Sequence, residues 1–433
     1  MPAADSPQRT SRRLKPCRAS QSNSPHLDRT VYNWSKVVVE TERLLGRESK
    51  PVTASEMVST QTPTQWQLTE DIALPKLRAF FDDKPFVFFG TGMSCALDTR
   101  FGMAALKDEL LQKIQPDCND SVQIYQWERV ANSLEYGNSL ESALDEVSDS
   151  RLLQHIISTT GRFLSCIDRA MAIQISTSNV KWPATSLLKG LVETLPDGDP
   201  ILHVLTPNYD TLFEHACDSV GVPYANGFAG GIERQMDWPT AKYTLLQRQQ
   251  VRHGRHLKTI HKYRKHARIY KVHGSLNFFF HRHKVIENNT WMWDAPDFAE
   301  RVMITPGLSK HEMLQKHRQE LLTPADEAID RANRFLFLGY SFNDTHLETY
   351  ITQKLITQAC KGLILTRDSN PRIELLLRQA QNLWLVCKAQ QDGVDGTRIS
   401  NTRYKDCLFL PTERLWDIRA FTTKILGYED ADI

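Results

Sequence analysis

From Pro85 onward the chain alternates short apolar runs, each closed by a polar or glycine-rich turn, with longer stretches of helical spacing. This alternation limits the fold more than any other feature of the sequence. Apolar runs with no polar residue at every second position are strands buried on both faces, and such strands need helices on each side of their sheet. The expected strands are Phe86 to Phe89, Leu202 to Leu205, Ile269 to Val272, Val302 to Ile304, Phe335 to Leu338, Leu363 to Leu365 and Leu383 to Val386. The expected fold class is therefore α/β, a parallel sheet with helices on both faces. About ninety residues of mostly helical pattern separate the first two strands. A simple crossover needs only about a dozen, so a small helical module is expected as an insertion at about 104–195.

Residues 1 to about 65 are rich in Ser, Thr, Pro and Arg and poor in periodic apolar residues, a composition that does not pack a core. Val31 to Leu45 is the exception, readable as one short helix or strand. The chain is expected to divide into a poorly ordered basic and polar tail over 1–75 and a folded domain over 76–433. With 41% hydrophobic residues and a formal net charge of +2, the chain falls among globular proteins and offers no bulk electrostatic argument for nucleic acid. Its eight cysteines are scattered, no two closer than about 20 residues, so they form no Cys-x-x-Cys zinc knuckle. No stretch approaches the ~18 apolar residues of a membrane span, and the N-terminus lacks a signal-peptide core. A cytoplasmic location with reduced thiols and no membrane association is expected.

Four strings at strand ends carry polar chemistry. The first strand runs into Gly90-Thr91-Gly92-Met93-Ser94, whose glycines let backbone N–H groups approach a pyrophosphate, or simply make a tight turn. The second runs into Thr206-Pro207-Asn208-Tyr209-Asp210, where Asn208 and Asp210 suit either ligand contacts or helix N-capping. Lys271-Val272-His273-Gly274-Ser275 sets a histidine at a strand mouth, suited to moving one proton at neutral pH. Gly339-Tyr340-Ser341-Phe342-Asn343-Asp344-Thr345-His346 closes the fifth strand, with Gly339 and Ser341 able to meet a ribose and Asp344 readable as a cap. Open α/β sheets bind ligands beyond the C-terminal ends of their strands, which favours the ligand readings.

In this order the four strings resemble the sirtuin superfamily, and specifically its bacterial antiphage NAD-hydrolase branch, over roughly residues 76 to 390. Phe101-Gly102-Met103, Lys107 to Leu111 and Val302 to Lys310 are similar to the same branch. The resemblance implies a Rossmann-like domain with NAD as substrate, Asn208 and His273 in the catalytic positions and Asp210 near the nicotinamide. It sets Gly90, Thr91, Gly92, Met93 and Ser94 along the pyrophosphate. Pro207, Gly339, Ser341 and Asn343 follow as further cofactor-binding positions. Protein-deacylating sirtuins carry two Cys-x-x-Cys pairs and a Gly-Ile-Pro-Asp-Phe-Arg string. This chain has no such pairs, and Asp98-Thr99-Arg100 stands in a shorter loop without Gly-Ile-Pro. Both departures favour water over acyl-lysine as acceptor.

The expected activity is NAD glycohydrolysis, depleting the cofactor as the effector of an antiphage defence system. Control by homo-oligomerisation, or by a partner such as a HerA-like ATPase or another sensor, is implied. An NAD-dependent protein deacylase and a catalytically idle nucleotide-binding scaffold are the competing readings. From Trp238 through Ile286 there is no Asp or Glu, and a basic insertion is expected at about 238–268. Such a run fits an acidic partner, nucleic acid among them, through 238–286, and fits a solvated insertion as well. His261 with His266, and His281 with His283, lack neighbouring carboxylates or cysteines, so no metal is expected.

Overall fold

The computed structural model describes residues 66–118, 120–304, 321–358 and 360–428. The tail to residue 65, with Val31 to Leu45, and most of the Val302 to Lys310 string lie outside the described residues. The strands are β1 Phe86–Phe89, β2 Ile201–Thr206, β3 Tyr224–Ala225, β4 Phe228–Gly230, β5 Arg234–Met236, β6 Leu246–His253, β7 His256–Tyr263 and β8 His266–Lys271. They continue as β9 Gly274–His281, β10 Lys284–Glu287, β11 Glu300–Met303, β12 Arg334–Leu338, β13 Lys361–Thr366, β14 Leu383–Gln391, β15 Val394–Ser400 and β16 Leu408–Pro411.

Nine strands form the main sheet in the order β16-β15-β14-β13-β12-β1-β2-β8-β3. All neighbours from β14 to β3 are parallel, and β15 and β16 add an antiparallel edge. Six parallel strands, taken in chain order, occupy the spatial order 3-2-1-4-5-6 of a Rossmann-like sheet. The pattern of the central strands explains their place. Phe86 and Phe88 of β1 pack with Phe335 and Phe337 of β12 into the core on one face, while Val87, Phe89, Leu336 and Leu338 enter the core on the other. Each fully buried Phe contributes roughly 1.5–3 kcal/mol, so neither strand is stable at an edge facing water.

Helices Met103–Asp117, Ser121–Glu135, Leu140–Leu144, Ser150–Ser176 and Thr185–Glu193 occupy the stretch between β1 and β2. The first four share a small core of their own around Leu110, Ile114, Trp127 and Leu152. The preceding helix Glu70–Ala79 buries Ala73 and Leu77 in the main core, so the boundary expected between 75 and 76 falls inside an element of the fold.

Three further expectations change. Val302 to Ile304 belongs not to the parallel sheet but to a second, antiparallel sheet, order β11-β9-β10-β5-β4. Gly274, at φ +84°, turns the chain back after β8; a Cβ there would lie 1.8 Å from the Val302 carbonyl oxygen, and β9 then pairs antiparallel with β11. An apolar run specifies burial, not strand direction. The basic insertion also ends earlier than 268, because His266 to Arg268 are already in β8, paired with Ile201 to His203 of β2. The third change concerns Ser94 and belongs to the site.

Candidate active site

The order of the parallel strands reverses between β1 and β12, and the loops leaving these two strands come into backbone contact. Gly90 N donates to Leu338 O at 2.9 Å and Gly92 N to Gly339 O at 3.1 Å. Gly339 holds φ +57°, and a Cβ on Gly90 would stand 2.3 Å from Gly339 O. Only glycine permits this approach. Above it opens a cavity of about 800 Å3, within the roughly 300–1,000 Å3 range of small-molecule sites. Its wall takes Gly90 to Met93 from the β1 loop, Pro207, Asn208 and Asp210 from the β2 loop, and His273 from the turn after β8. Gly339, Ser341 and Asn343 line it from the β12 loop. Eleven of the twelve expected site residues thus face one cavity.

Ser94 is the exception. It is buried and does not line the cavity; its Oγ donates to Asp210 Oδ2 at 2.7 Å and accepts from Asn208 Nδ2 at 2.9 Å. The helical turn Thr91–Cys95 points this hydroxyl at the β2 loop rather than at a ligand. Asn208 Nδ2 also donates to Gly90 O at 3.1 Å. Both amide protons are therefore committed to the protein. Because the carboxylate can only accept, the Ser94 proton goes to Asp210 and the direction of the chain is set. Asn208 Oδ1 is left as the acceptor turned toward Thr91, whose hydroxyl is 3.4 Å away.

Asp210 also accepts from Leu212 N at 3.3 Å, but the N-cap of the helix Leu212–Ser219 is Thr211, with no side-chain capping bond, so Asp210 serves the network rather than the cap. Burial raises its carboxyl to about 6, opposed by Lys271 and reinforced by Asp168. Lys271 Nζ donates to the Asp210 carbonyl and to Glu214 Oε1 at 3.0 Å. Tyr209, between the two polar residues, donates its hydroxyl to Ile304 O at 2.7 Å.

His273 and Asp344 form the second constellation, with Nε2 and Oδ2 2.8 Å apart and both side chains about nine-tenths buried. An acidic partner on one ring nitrogen orients the imidazole, which a proton-accepting histidine needs. Sequence reading assigned Asp344 only as a cap; a helix-start Asp gives no signal of which distant side chain it will meet. Two further residues were missed. Asp168, fully buried on the helix Ser150–Ser176, accepts from Thr211 N at 2.7 Å, Thr211 Oγ1 at 2.8 Å and Trp293 Nε1 at 2.9 Å. Arg367, on the loop after β13, lines the cavity, is exposed and pairs with its neighbour Asp368 at 2.7 Å.

Asp98 and Arg100 pair with each other at 2.6 Å, and their neighbours Thr99 and Phe101 reach the cavity wall in their place. Cys95 also lines the cavity. Burial, and then Asp210, push its thiol above the ordinary range, so it stays protonated and is a poor nucleophile. Among the described residues there is no group of three or more His, Cys, Asp or Glu side chains placed to hold a metal ion, and no helix long and apolar enough to cross a membrane.

A Rossmann-like sheet with a glycine-lined cavity at its strand-order reversal defines a nucleotide-binding class of site. Residues 202–382 match the family model described as the SIR2-like domain, which supports a sirtuin-like assignment for that stretch and an NAD-related activity. No curated protein matches the chain.

Proposed function

We propose that this protein is an NAD glycohydrolase that converts NAD and water to nicotinamide and ADP-ribose. The observation that carries the reading is the convergence, on one cavity, of the His273–Asp344 pair with an Asn208 amide whose donors are both engaged. The residues fit the substrate. Gly90, Gly92 and Gly339 line the cavity, and with no side chain they let a ligand come close to the backbone there.

Nicotinamide leaves as a neutral molecule from a pyridinium, so its departure needs little acid help. The protein's tasks are to hold the ribose, offset the positive charge that develops on it and place a water. Asn208 Oδ1 accepts from the water or a ribose hydroxyl. His273 takes the proton released as the water's oxygen bonds to the ribose carbon, and passes it to solvent. Asp210, as the carboxylate, supplies negative charge beside this centre and keeps Ser94 donating toward itself. An enzyme that empties the NAD pool has to be quiet at rest. In this reading it serves as a defence effector, restrained by self-assembly or by a partner such as a HerA-like ATPase.

One observation favours a second reading. The same cavity continues under the helical module, past Leu106, Leu110, Leu144 and Ile156, an apolar extension suited to an acyl group and hence to protein deacylation. Product analysis of the purified full chain separates the two: hydrolysis yields ADP-ribose with or without acyl peptide, whereas deacylation yields O-acyl-ADP-ribose only when peptide is supplied. His273→Ala and Asn208→Ala are each expected to lower NAD turnover by at least about 100-fold, the low end of what a positioned proton acceptor contributes. Turnover at the unmodified rate in either variant would refute its assignment.

A further inference from the structure

Strands β6 and β7 form a sheet of their own, joined through the turn at Gly254 and Arg255. Paired residues run from Leu246 with Tyr263 at the base to His253 with His256 at the tip, a ribbon about 26 Å long at ~3.3 Å per residue. Every residue from Gln247 to Thr259 is exposed, so neither face of its outer part rests on the core. The base is anchored. Lys262 pairs with Asp197 at 2.5 Å, Lys265 donates to Glu193 O at 2.6 Å, and Lys242 sits 4.8 Å over the Tyr263 ring. A two-stranded ribbon without a packed face is only marginally stable in water, and this one is held out from the body by contacts at one end.

Its charge is of one sign, with Val251 and Leu257 exposed among the polar side chains. Arg248, Arg252, Arg255 and Lys258 lie on the exposed part, with no acidic residue anywhere on the ribbon. Register and alternation bring Arg248, Gln250, Arg252, Leu257, Thr259 and His261 to one face, with Lys258 on the other. These side chains combine phosphate-pairing cations with the Arg and Gln groups that hydrogen-bond to guanine and adenine edges. The major groove of B-form DNA, ~12 Å wide, admits a two-stranded ribbon, while the deep, narrow major groove of duplex RNA does not. A membrane-docking tip would carry aromatic anchors; none lies between Gln247 and Thr259.

We propose that the β6–β7 ribbon is a docking arm for double-stranded DNA. It lies apart from the NAD-cleaving reading, because no ribbon residue lines the cavity. The test is fluorescence anisotropy of the full chain with a labelled duplex DNA longer than the ribbon, between about 50 and 200 mM KCl. The expected result is micromolar binding whose log–log salt slope approaches about −3.6, or about −0.9 for each of four cations. Combined Arg252→Glu, Arg255→Glu and Lys258→Glu substitution is expected to weaken binding at least about 10-fold and flatten the slope by about 2.7, with melting temperature and NAD turnover unchanged. The same charge reversal on the helical module, Lys113→Glu with Arg151→Glu, is expected to leave binding within about twofold, since surface cations far from the groove make no phosphate contact. Four results would overturn the proposal: salt-insensitive or absent binding, a ribbon variant that binds like the parent, equal weakening by the module variant, or tighter binding to duplex RNA or phosphatidylserine vesicles than to duplex DNA.

Discussion

Asp210 carries the most testable consequence at the scale of single residues. Its carboxyl is raised from 3.8 to about 6 chiefly by burial, so the folded protein holds this proton more tightly than the unfolded chain does. The resulting stabilisation is complete below about pH 3.8 and is lost as pH rises through about 6. Above that pH the buried carboxylate is retained at a cost in stability. Asp210→Asn removes the ionisation, so its melting temperature relative to the parent is expected to climb between pH 4 and pH 6; a constant difference across that window would contradict the raised value. Turnover should respond in the opposite sense. Protonation below about 6 frees Ser94 from donating to a carboxylate and unlocks the Asn208 amide. The parent is therefore expected to lose activity on the acid side, while Asp210→Asn is slow throughout and lacks that limb.

Among the elements, the helix Ser150–Ser176 matters most to the site, because its Asp168 receives three hydrogen bonds from the β2 loop and Trp293. Asp168→Ala leaves the two buried Thr211 donors and the part-buried Trp293 indole without that acceptor, at about 1–3 kcal/mol for each buried unsatisfied group. A loss of at least about 2 kcal/mol is expected in urea unfolding, with Asp168→Asn milder because its carbonyl still accepts. This tie was illegible in the sequence. Asp168 stands mid-helix among residues of ordinary amphipathic spacing, and nothing local says that Thr211 will be its partner. The strands were legible for the opposite reason: Phe86 to Phe89 and Phe335 to Leu338 are apolar on both faces, and only a central strand buries both. β11 was misread because the same pattern suits an antiparallel strand covered on both sides. β15 and β16, where Val394 and Asp395 are exposed, lack such a run and drew no expectation.

On the scale of the whole molecule, the site exists because two halves of the sheet meet at Gly90 and Gly339. Gly90→Ala forces a Cβ to within 2.3 Å of a backbone oxygen that cannot rotate away, and overpacking of this kind costs about 1–3 kcal/mol. Calorimetry is expected to give a lower melting temperature, and titration a weaker affinity for NAD, since the β1 and β12 loops must part. An unchanged melting temperature would mean that the two loops are not held in this contact. Sequence alone determined the parallel core, the loops that bear polar chemistry and the one-signed basic stretch, because periodicity and composition act locally along the chain. Tertiary structure decided that Ser94 supports Asn208 rather than a ligand, that Asp344 meets His273, that β11 joins a second sheet and that the basic stretch stands out as a ribbon. Each of these depends on which distant backbone comes within hydrogen-bonding distance, and an apolar pattern specifies burial without naming the neighbour.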